Sequence, residues 1–388
     1  MTTNANMTAE ECCDRLAALR CCVILPTYNN ANTIESVVES VAQWCHNLIV
    51  VNDGSTDNTH NILQPLHEQH LITLIEYPDG KNRGKGFALK TALHKASEMG
   101  FTNAITMDSD GQHFASDLPT FVCAAEENKG AMIIGARNLT ADGMPGKNTF
   151  ANKFSNFWFK VETLQTLADT QSGFRLYPLS TMQGIHFVTP RYEFEVESIV
   201  RLAWRDVKVM NVPINVVYPP DRVSHFRPLH DFARISVLNT VLVCIALIYY
   251  YPKCFAKWIY RTLVCTTEDA LHLACAVGIG SLIGTLPIWG LQTIVAIATA
   301  HLLNLNKVIV VAFSNISLPP IIPFILYGSL KIGAFLTGNS APISISNLTI
   351  ESVGQTTWQY VIGAVPFALI VGATIGTLSY LIIKIFRK

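Results

Sequence analysis

The chain has 388 residues, half of them hydrophobic and 14% charged, with 28 lysines plus arginines against 28 aspartates plus glutamates. That length suits about two or three domains and excludes a disulfide mini-protein, and the zero formal net charge argues against a nucleic-acid binder relying on a global basic field. The balance conceals a division: from Leu271 onward Glu351 is the single acid, accompanied by Lys307, Lys331, Lys384, Arg387 and Lys388 in a long apolar background, so a water-facing domain followed by a membrane domain is expected.

Residues 1–20 carry Glu10, Glu11, Asp14 and Arg15 without a basic-then-apolar run. They read as an N-terminal extension with no cleaved signal peptide, which keeps the next domain in the cytoplasm. The ten cysteines form no Cys-x-x-Cys pair, so they read as small buried hydrophobes in a reducing compartment rather than zinc ligands. From Cys21 short apolar runs alternate with helical periodicity. Cys21 to Leu25 predicts a strand, Ile34 to Trp44 a helix, and Leu48 to Val51 a second strand; Asp57 or Asn58 suits the cap of a helix after it. Ile72 to Ile75 predicts a third strand, Gly86 to Met99 a helix, and Ala104 to Met107 and Met132 to Gly135 two further strands. Such βαβ alternation implies a mainly parallel, Rossmann-like sheet covered on both faces. After Gly135 the chain reads as irregular and rich in aromatics and bases, and order resumes near Gln171 and Tyr192. Val207 to Val217 predicts a last strand, and 218–231 a basic loop that closes a domain spanning 21–231.

Residues 235–388 read as an all-α transmembrane domain. Ile235 to Tyr251 is near the minimum for a span of roughly 17 to 25 residues, and Tyr360 to Phe386 is the clearest full span. Leu271 to Leu305 and Val308 to Leu336 are broken at Thr285-Leu286-Pro287 and Ser317-Leu318-Pro319-Pro320, which predicts kinked or re-entrant helices whose freed backbone finds protein or water partners. The Lys384-Arg387-Lys388 tail favours a cytoplasmic C-terminus. Four crossings would then turn Lys253, Lys257 and Arg261 outward, against the same rule, so the topology stays open.

Three polar stretches each follow a predicted strand: Pro26-Thr27-Tyr28-Asn29, Asn52-Asp53-Gly54 and Asp108-Ser109-Asp110. The carboxyl ends of parallel strands are where open α/β sheets bind ligands, so these loops are expected to converge on one crevice. Asp108 and Asp110 fall on the same side of an extended segment and suit a shared Mg2+ or Mn2+, with Gln112 as a further oxygen. His113 reads as a satisfied loop histidine. Asp53 is placed to accept hydrogen bonds from a ribose or base, a role compatible with an Asx-turn. The Lys81-Asn82-Arg83-Gly84-Lys85-Gly86 stretch opens a helix, where backbone N–H groups suit phosphate.

Together with Ser172-Gly173-Phe174-Arg175, these stretches resemble family 2 glycosyltransferases, specifically the polyprenyl-phosphate (dolichol-phosphate mannose synthase-like) branch, over roughly Cys21 to Asp231. The resemblance implies the A-type glycosyltransferase fold, a nucleotide-sugar donor, a divalent cation and inversion at the anomeric carbon. It implies that Pro26, Tyr28, Asn29, Asp53 and Lys85 hold the donor, with Asp108, Asp110 and Gln112 on metal and diphosphate. It also implies Arg175 on phosphate and Asp169 at the position sometimes assigned as base. Arg137, Lys147, Lys153, Ser155 and Arg222 are the expected acceptor-phosphate contacts. Two departures stand out: Asn52 occupies a position where the family often has a second aspartate, and Lys147 and Lys153 stand where arginines are typical, so that phosphate would meet a point charge rather than a bidentate fork. The stretch from Leu271 to Leu336 resembles a bacterial membrane domain of unknown function.

The expected protein is thus an inner-membrane, multi-pass glycosyltransferase with its catalytic domain in the cytoplasm. It moves a sugar from a nucleotide to polyprenyl phosphate; no nucleic-acid partner is expected, and a homo-oligomer is allowed. A monophosphate acceptor arrives already ionised, so Asp169 is expected to orient rather than deprotonate. Transfer to a lipid hydroxyl is the close alternative, and a nucleotide-sensing membrane transporter or scaffold the distant one. A sugar-phosphate nucleotidyltransferase is disfavoured, because Pro-Thr-Tyr-Asn stands where its Gly-rich loop belongs.

Overall fold

The protein is described from a computed structural model covering residues 7–137, 146–217, 227–288, 290–317, 321–338 and 350–387, with backbone alone at 146–150, 228–229 and 350–356. It divides into two units, Met1–Pro252 and Lys253–Lys388.

The first unit is built on seven strands: β1 (Cys21–Thr27), β2 (Leu48–Asn52), β3 (Thr73–Glu76), β4 (Asn103–Thr106), β5 (Met132–Arg137), β6 (Arg175–Pro178) and β7 (Val209–Ile214). They lie in the order β3-β2-β1-β4-β6-β5-β7. All neighbours are parallel except at β6, which runs antiparallel to both β4 and β5. Every residue of β1 and β2 is buried, as expected of strands covered on both faces. Helices Ile34–Ala42 and Leu118–Glu127 send Ile34, Val38, Phe121 and Val122 into the core with Val23, Leu25 and Val50. Parallel pairing of β1 with β2 and β4 brings three carboxyl ends to one edge, each with its polar loop.

Two segments differ from the sequence expectation. Residues set apart as an extension contain the helix Ala9–Ala18, whose Cys12 and Leu16 join the same core. The stretch read as irregular after Gly135 contains an 18-residue helix, Gly146–Thr163. Its inward face carries Asn152, Ser155, Phe159 and Glu162, so the buried stripe is largely polar and the apolar period that normally reveals a helix is absent.

In the second unit the helix Ala270–Thr285 packs between Lys307–Ser314 and the long helix Ile350–Phe386, around Leu273, Ala276, Val277, Ile309 and Val310. Small residues set the contacts: a Cβ on Gly363 would lie 1.9 Å from Ser329 O, and one on Gly333 1.9 Å from Gln359 O. Only glycine permits that approach. The helices end at Thr285 and Ser314, where the sequence anticipates breaks. The freed carbonyl of Gly284 accepts from Ser317 Oγ and from Gln292 Nε2, the latter at 3.2 Å, so protein side chains satisfy that break. Two described helices are long and apolar enough to cross a membrane, His230–Val264 and Thr357–Phe386.

Candidate functional site

Short side chains stitch the three strand-end loops together. Asn29 adopts a positive φ of 53°; its N–H donates to Ser55 Oγ at 2.9 Å and its Oδ1 accepts from Thr56 N–H at 2.7 Å. Asp57 accepts from both Ala31 N–H and Thr59 N–H, so it takes the first N–H of the helix Thr59–Glu68 while tying the first loop to the second. On the other side Ser109 Oγ donates to the carbonyl of Pro26 at 2.9 Å, and Thr33 Oγ1 donates to Ser109 O at 2.7 Å. Pro26 and Asn29 therefore contribute mainly to loop geometry, with Tyr28 between them.

Asp53 is buried, and its two carboxylate oxygens accept the N–H groups of Arg83 and Gly84, both at 2.8 Å. Burial pushes its pKa up, against those two hydrogen bonds. Through these bonds Asp53 fixes the basic loop ahead of the helix Lys85–Glu98. Asn52 has an equally specific reason. It sits opposite Glu76 across β2 and β3, and its Nδ2 donates to Glu76 Oε1 at 2.6 Å. An aspartate there would set two carboxylates against each other.

Asp108 lies at the centre. Lys85 Nζ is 2.6 Å from Asp108 Oδ1 and 3.0 Å from Glu195 Oε1. Burial opposes the Asp108 carboxylate, yet Lys85, followed by His113 and then Arg175, holds its pKa below the usual carboxylate range. For Lys85 burial acts downward, and Asp108 and Glu195 outweigh it, so its pKa is raised. Asp110 accepts from Gln112 N–H at 3.1 Å and Gln112 Nε2 at 2.6 Å, which brings these two expected ligands together. His113 departs from its expected satisfied state: Nδ1 is buried without a hydrogen-bond partner, and burial pulls the pKa down to about 4.

The donor set suits a hard cation. Two carboxylates and a carboxamide within five residues match Mg2+ or Mn2+, which take one or two carboxylates and complete their shell with substrate phosphates. Among the described residues no group of three or more His, Cys, Asp or Glu side chains is placed to hold a metal ion. Asp108 also already attracts a positive charge, the Lys85 ammonium. Gly173 makes room for it: a Cβ at this position would lie 2.3 Å from Asp108 Oδ2.

Two expected site residues lie fully inside the protein. Arg175 is fully buried and donates to the carbonyls of Ser172 (2.6 Å), Glu195 (2.6 Å) and Thr170 (2.9 Å). It braces the Thr170–Ser172 segment against the start of the helix Glu193–Trp204, and its donors meet those carbonyls rather than the expected phosphate position. Asp169 is also fully buried. It is clasped by Arg137 Nε (2.7 Å) and Nη2 (3.1 Å), by Asn152 Nδ2 (2.6 Å) and by Gln171 N–H (2.9 Å). Burial would raise its pKa, but Arg137 and the main-chain donors hold it below the usual range, which makes it a poor proton acceptor.

Among the described residues the expected acceptor contacts Arg137, Ser155 and Lys153 go to separate surroundings. Arg137 pairs with Asp169; Ser155 is buried and accepts from Thr170 Oγ1 at 2.8 Å; Lys153 is exposed on the outer face of its helix. Lys147 lies in the first turns of that helix with its side chain outside the described residues, as Arg222 is altogether. Glu195, in contrast, belongs to the site and was missed. Its one signal, Glu193 and Glu195 in the first turn of the helix Glu193–Trp204, is an ordinary helix-start pattern.

Comparison with known families decides the class: residues 22–179 match glycosyl transferase family 2, and residues 253–388 match an uncharacterised protein family conserved in bacteria, DUF2062. The chain is a family 2 glycosyltransferase domain joined to a DUF2062 domain. The glycosyltransferase domain has the A-type, Rossmann-like fold and uses a nucleotide-sugar donor. Similar proteins include a UDP-N-acetylglucosamine–dolichyl-phosphate N-acetylglucosaminyltransferase of Methanococcus voltae, 27% identical over 213 residues, or 50% of this chain and 85% of the relative. A dolichyl-phosphate beta-glucosyltransferase of Trichomonas vaginalis is 25% identical over 214 residues, or 49% of this chain and 64% of the relative. Among solved structures, glucosyl-3-phosphoglycerate synthase from Mycobacterium tuberculosis, in complex with Mn2+, UDP and phosphoglyceric acid, aligns at a TM-score of 0.47 and 20% identity, covering 63% of this chain and 85% of that one.

Proposed function

We propose that the glycosyltransferase moves its sugar, with inversion, onto a polyprenyl phosphate at the cytoplasmic face of the inner membrane, anchored there by its apolar helices. The observation that carries this reading is the state of Asp169. Attack by a hydroxyl needs a base near the reacting oxygen, whereas the carboxylate at the position expected for one is sequestered by Arg137, Asn152 and Gln171. A phosphate monoester has a second pKa of about 6, so it arrives largely as a dianion and needs positioning rather than deprotonation. Relatives named for dolichyl phosphate support the same acceptor class.

In this reading Asp108, Asp110 and Gln112 hold a Mg2+ or Mn2+ ion, which neutralises charge on the departing nucleoside diphosphate. The start of the helix Lys85–Glu98, positioned by the Asp53 bonds to Arg83 and Gly84, and the Lys85 ammonium orient the diphosphate. The candidate spans His230–Val264 and Thr357–Phe386, with the shorter apolar helices between them, support a multi-pass anchor in the bilayer that holds the lipid acceptor.

Purified full-length protein supplied with Mn2+, a panel of nucleotide sugars and either polyprenyl phosphate or the corresponding polyprenol tests the proposal. Nucleoside diphosphate release with the phosphate and not with the alcohol, giving a product cleaved by mild acid, is expected. Equal turnover with the alcohol would overturn it.

A further inference from the structure

The Lys85 ammonium sits between two carboxylates, although one would neutralise it. Asp108 provides the shorter contact at 2.6 Å and Glu195 the longer at 3.0 Å, with Lys85 and Glu195 both largely shielded from water. If Asp108 is to accept a divalent cation, a lysine bound to it is a resident competitor. It must have somewhere else to place its charge, because an unpaired buried ammonium is costly.

We propose that Glu195 is a positioning residue that retains Lys85 beside the diphosphate seat when Asp108 turns to the incoming cation. This rests on the reading of Asp108 and Asp110 as the cation site.

Three features fix Glu195 for that role. Its carbonyl accepts from the buried Arg175 Nη1 at 2.6 Å and from Ser198 Oγ at 3.2 Å. The preceding segment is pressed onto the start of the helix that carries Lys85: Phe87 N–H donates to Pro190 O at 2.8 Å, and a Cβ on Gly86 would lie 2.4 Å from Arg191 O. The Lys85 and Glu195 backbones therefore move together, and the ammonium can leave Asp108 without leaving Glu195. Charge counting agrees. Asp108, Lys85 and Glu195 together carry one net negative charge, which attracts a divalent ion; after Asp108 binds that ion, Lys85 and Glu195 remain as a neutral pair with ammonium protons available for an anionic oxygen. Without Glu195 the trio is neutral and Lys85 closes on Asp108 alone.

Binding of Mn2+ alone to the purified full-length protein, followed by electron paramagnetic resonance, tests this without turnover. Glu195→Gln is expected to weaken Mn2+ binding about tenfold, the scale of one or two charge interactions in a partly wet site. Adding Lys85→Met is expected to restore it to within about threefold of wild type, because the competing ammonium is gone; damage to the fold would not be rescued this way. Unchanged binding in Glu195→Gln, or a double variant as weak as the single one, would overturn the proposal. Asp110→Asn separates the two readings. Mn2+ binding that survives Asp110→Asn, or that is absent from the wild type, defeats the cation site itself. Loss in Asp110→Asn beside normal binding in Glu195→Gln defeats only the role of Glu195.

Discussion

Gly173 and Asp108 are in such close register that a methyl group on the first would stand 2.3 Å from Oδ2 of the second. Thr106 Oγ1, at the end of β4, donates to Gly173 O at 2.8 Å and locks the two segments together, so neither can withdraw. Gly173→Ala should therefore displace the Asp108 carboxylate. Overpacking of this kind costs about 1–3 kcal/mol. The expected outcome is a modest fall in thermal stability with a disproportionate loss of Mn2+-dependent nucleoside diphosphate binding, read by calorimetry.

Asp169→Asn should act on stability. The variant removes the charge opposite Arg137, a residue with its side chain only 16% exposed, and breaking a buried pair from one side costs about 3–5 kcal/mol. Loss of a catalytic base would instead leave folding intact and abolish the low-pH limb, on which the rate rises as the base ionises. Thermal unfolding and a pH–rate profile of the folded fraction distinguish these. The profile is expected to keep its wild-type shape.

Asn52→Asp would restore the acid often found at this position in the family, and it should nonetheless harm this chain. Glu76 accepts from Asn52 Nδ2 and also faces His60 Nδ1 at 2.9 Å, so a second carboxylate meets the first at hydrogen-bond distance. A destabilisation of about 1–3 kcal/mol is expected from the lost bond and the repulsion, recovered in the double variant Asn52→Asp/Glu76→Gln. Denaturant titration reads both.

Glu162 predicts a pH dependence unrelated to catalysis. Its carboxylate is fully buried without a hydrogen-bond partner, and burial raises its pKa from about 4.5 to about 8. The folded state thus keeps a proton that the unfolded chain gives up. Stability contributed by this group is complete below pH 4.5, falls as pH rises toward 8 and is flat above that. Glu162→Gln should remove this component of the slope and raise the melting temperature at pH 8.5 relative to wild type. An unchanged slope would show the carboxyl to be solvated.

Much of the architecture was legible because strands covered on both faces must be apolar throughout: β1, β2, β4 and β5 all appear where continuous hydrophobic runs stand. The helix Gly146–Thr163 escaped because Asn152, Ser155 and Glu162 occupy its inward face, so its buried side looks like a loop. The strand-end rule brought Asp53, Asp108 and Asp110 to one edge correctly. It did not reveal that Asp53 turns its oxygens to the Arg83 and Gly84 backbone, nor that Arg175 turns inward to three carbonyls. Residue type announces a charge, whereas its partner depends on contacts up to 31 positions away in sequence for Asp53 and 20 for Arg175.

By itself the sequence determined which segments avoid water and which strand ends carry acids, since these follow from local pattern and spacing, while the nucleotide-sugar chemistry followed from the resemblance of its motifs to family 2 glycosyltransferases. Only the tertiary structure decided what each charge does. Burial makes an unpaired charge expensive, so an inward-facing ionisable group either finds a partner through packing or, like Glu162, keeps its neutral form. That requirement gave Lys85 a second carboxylate, closed Asp169 around Arg137, and turned Arg175 into a brace.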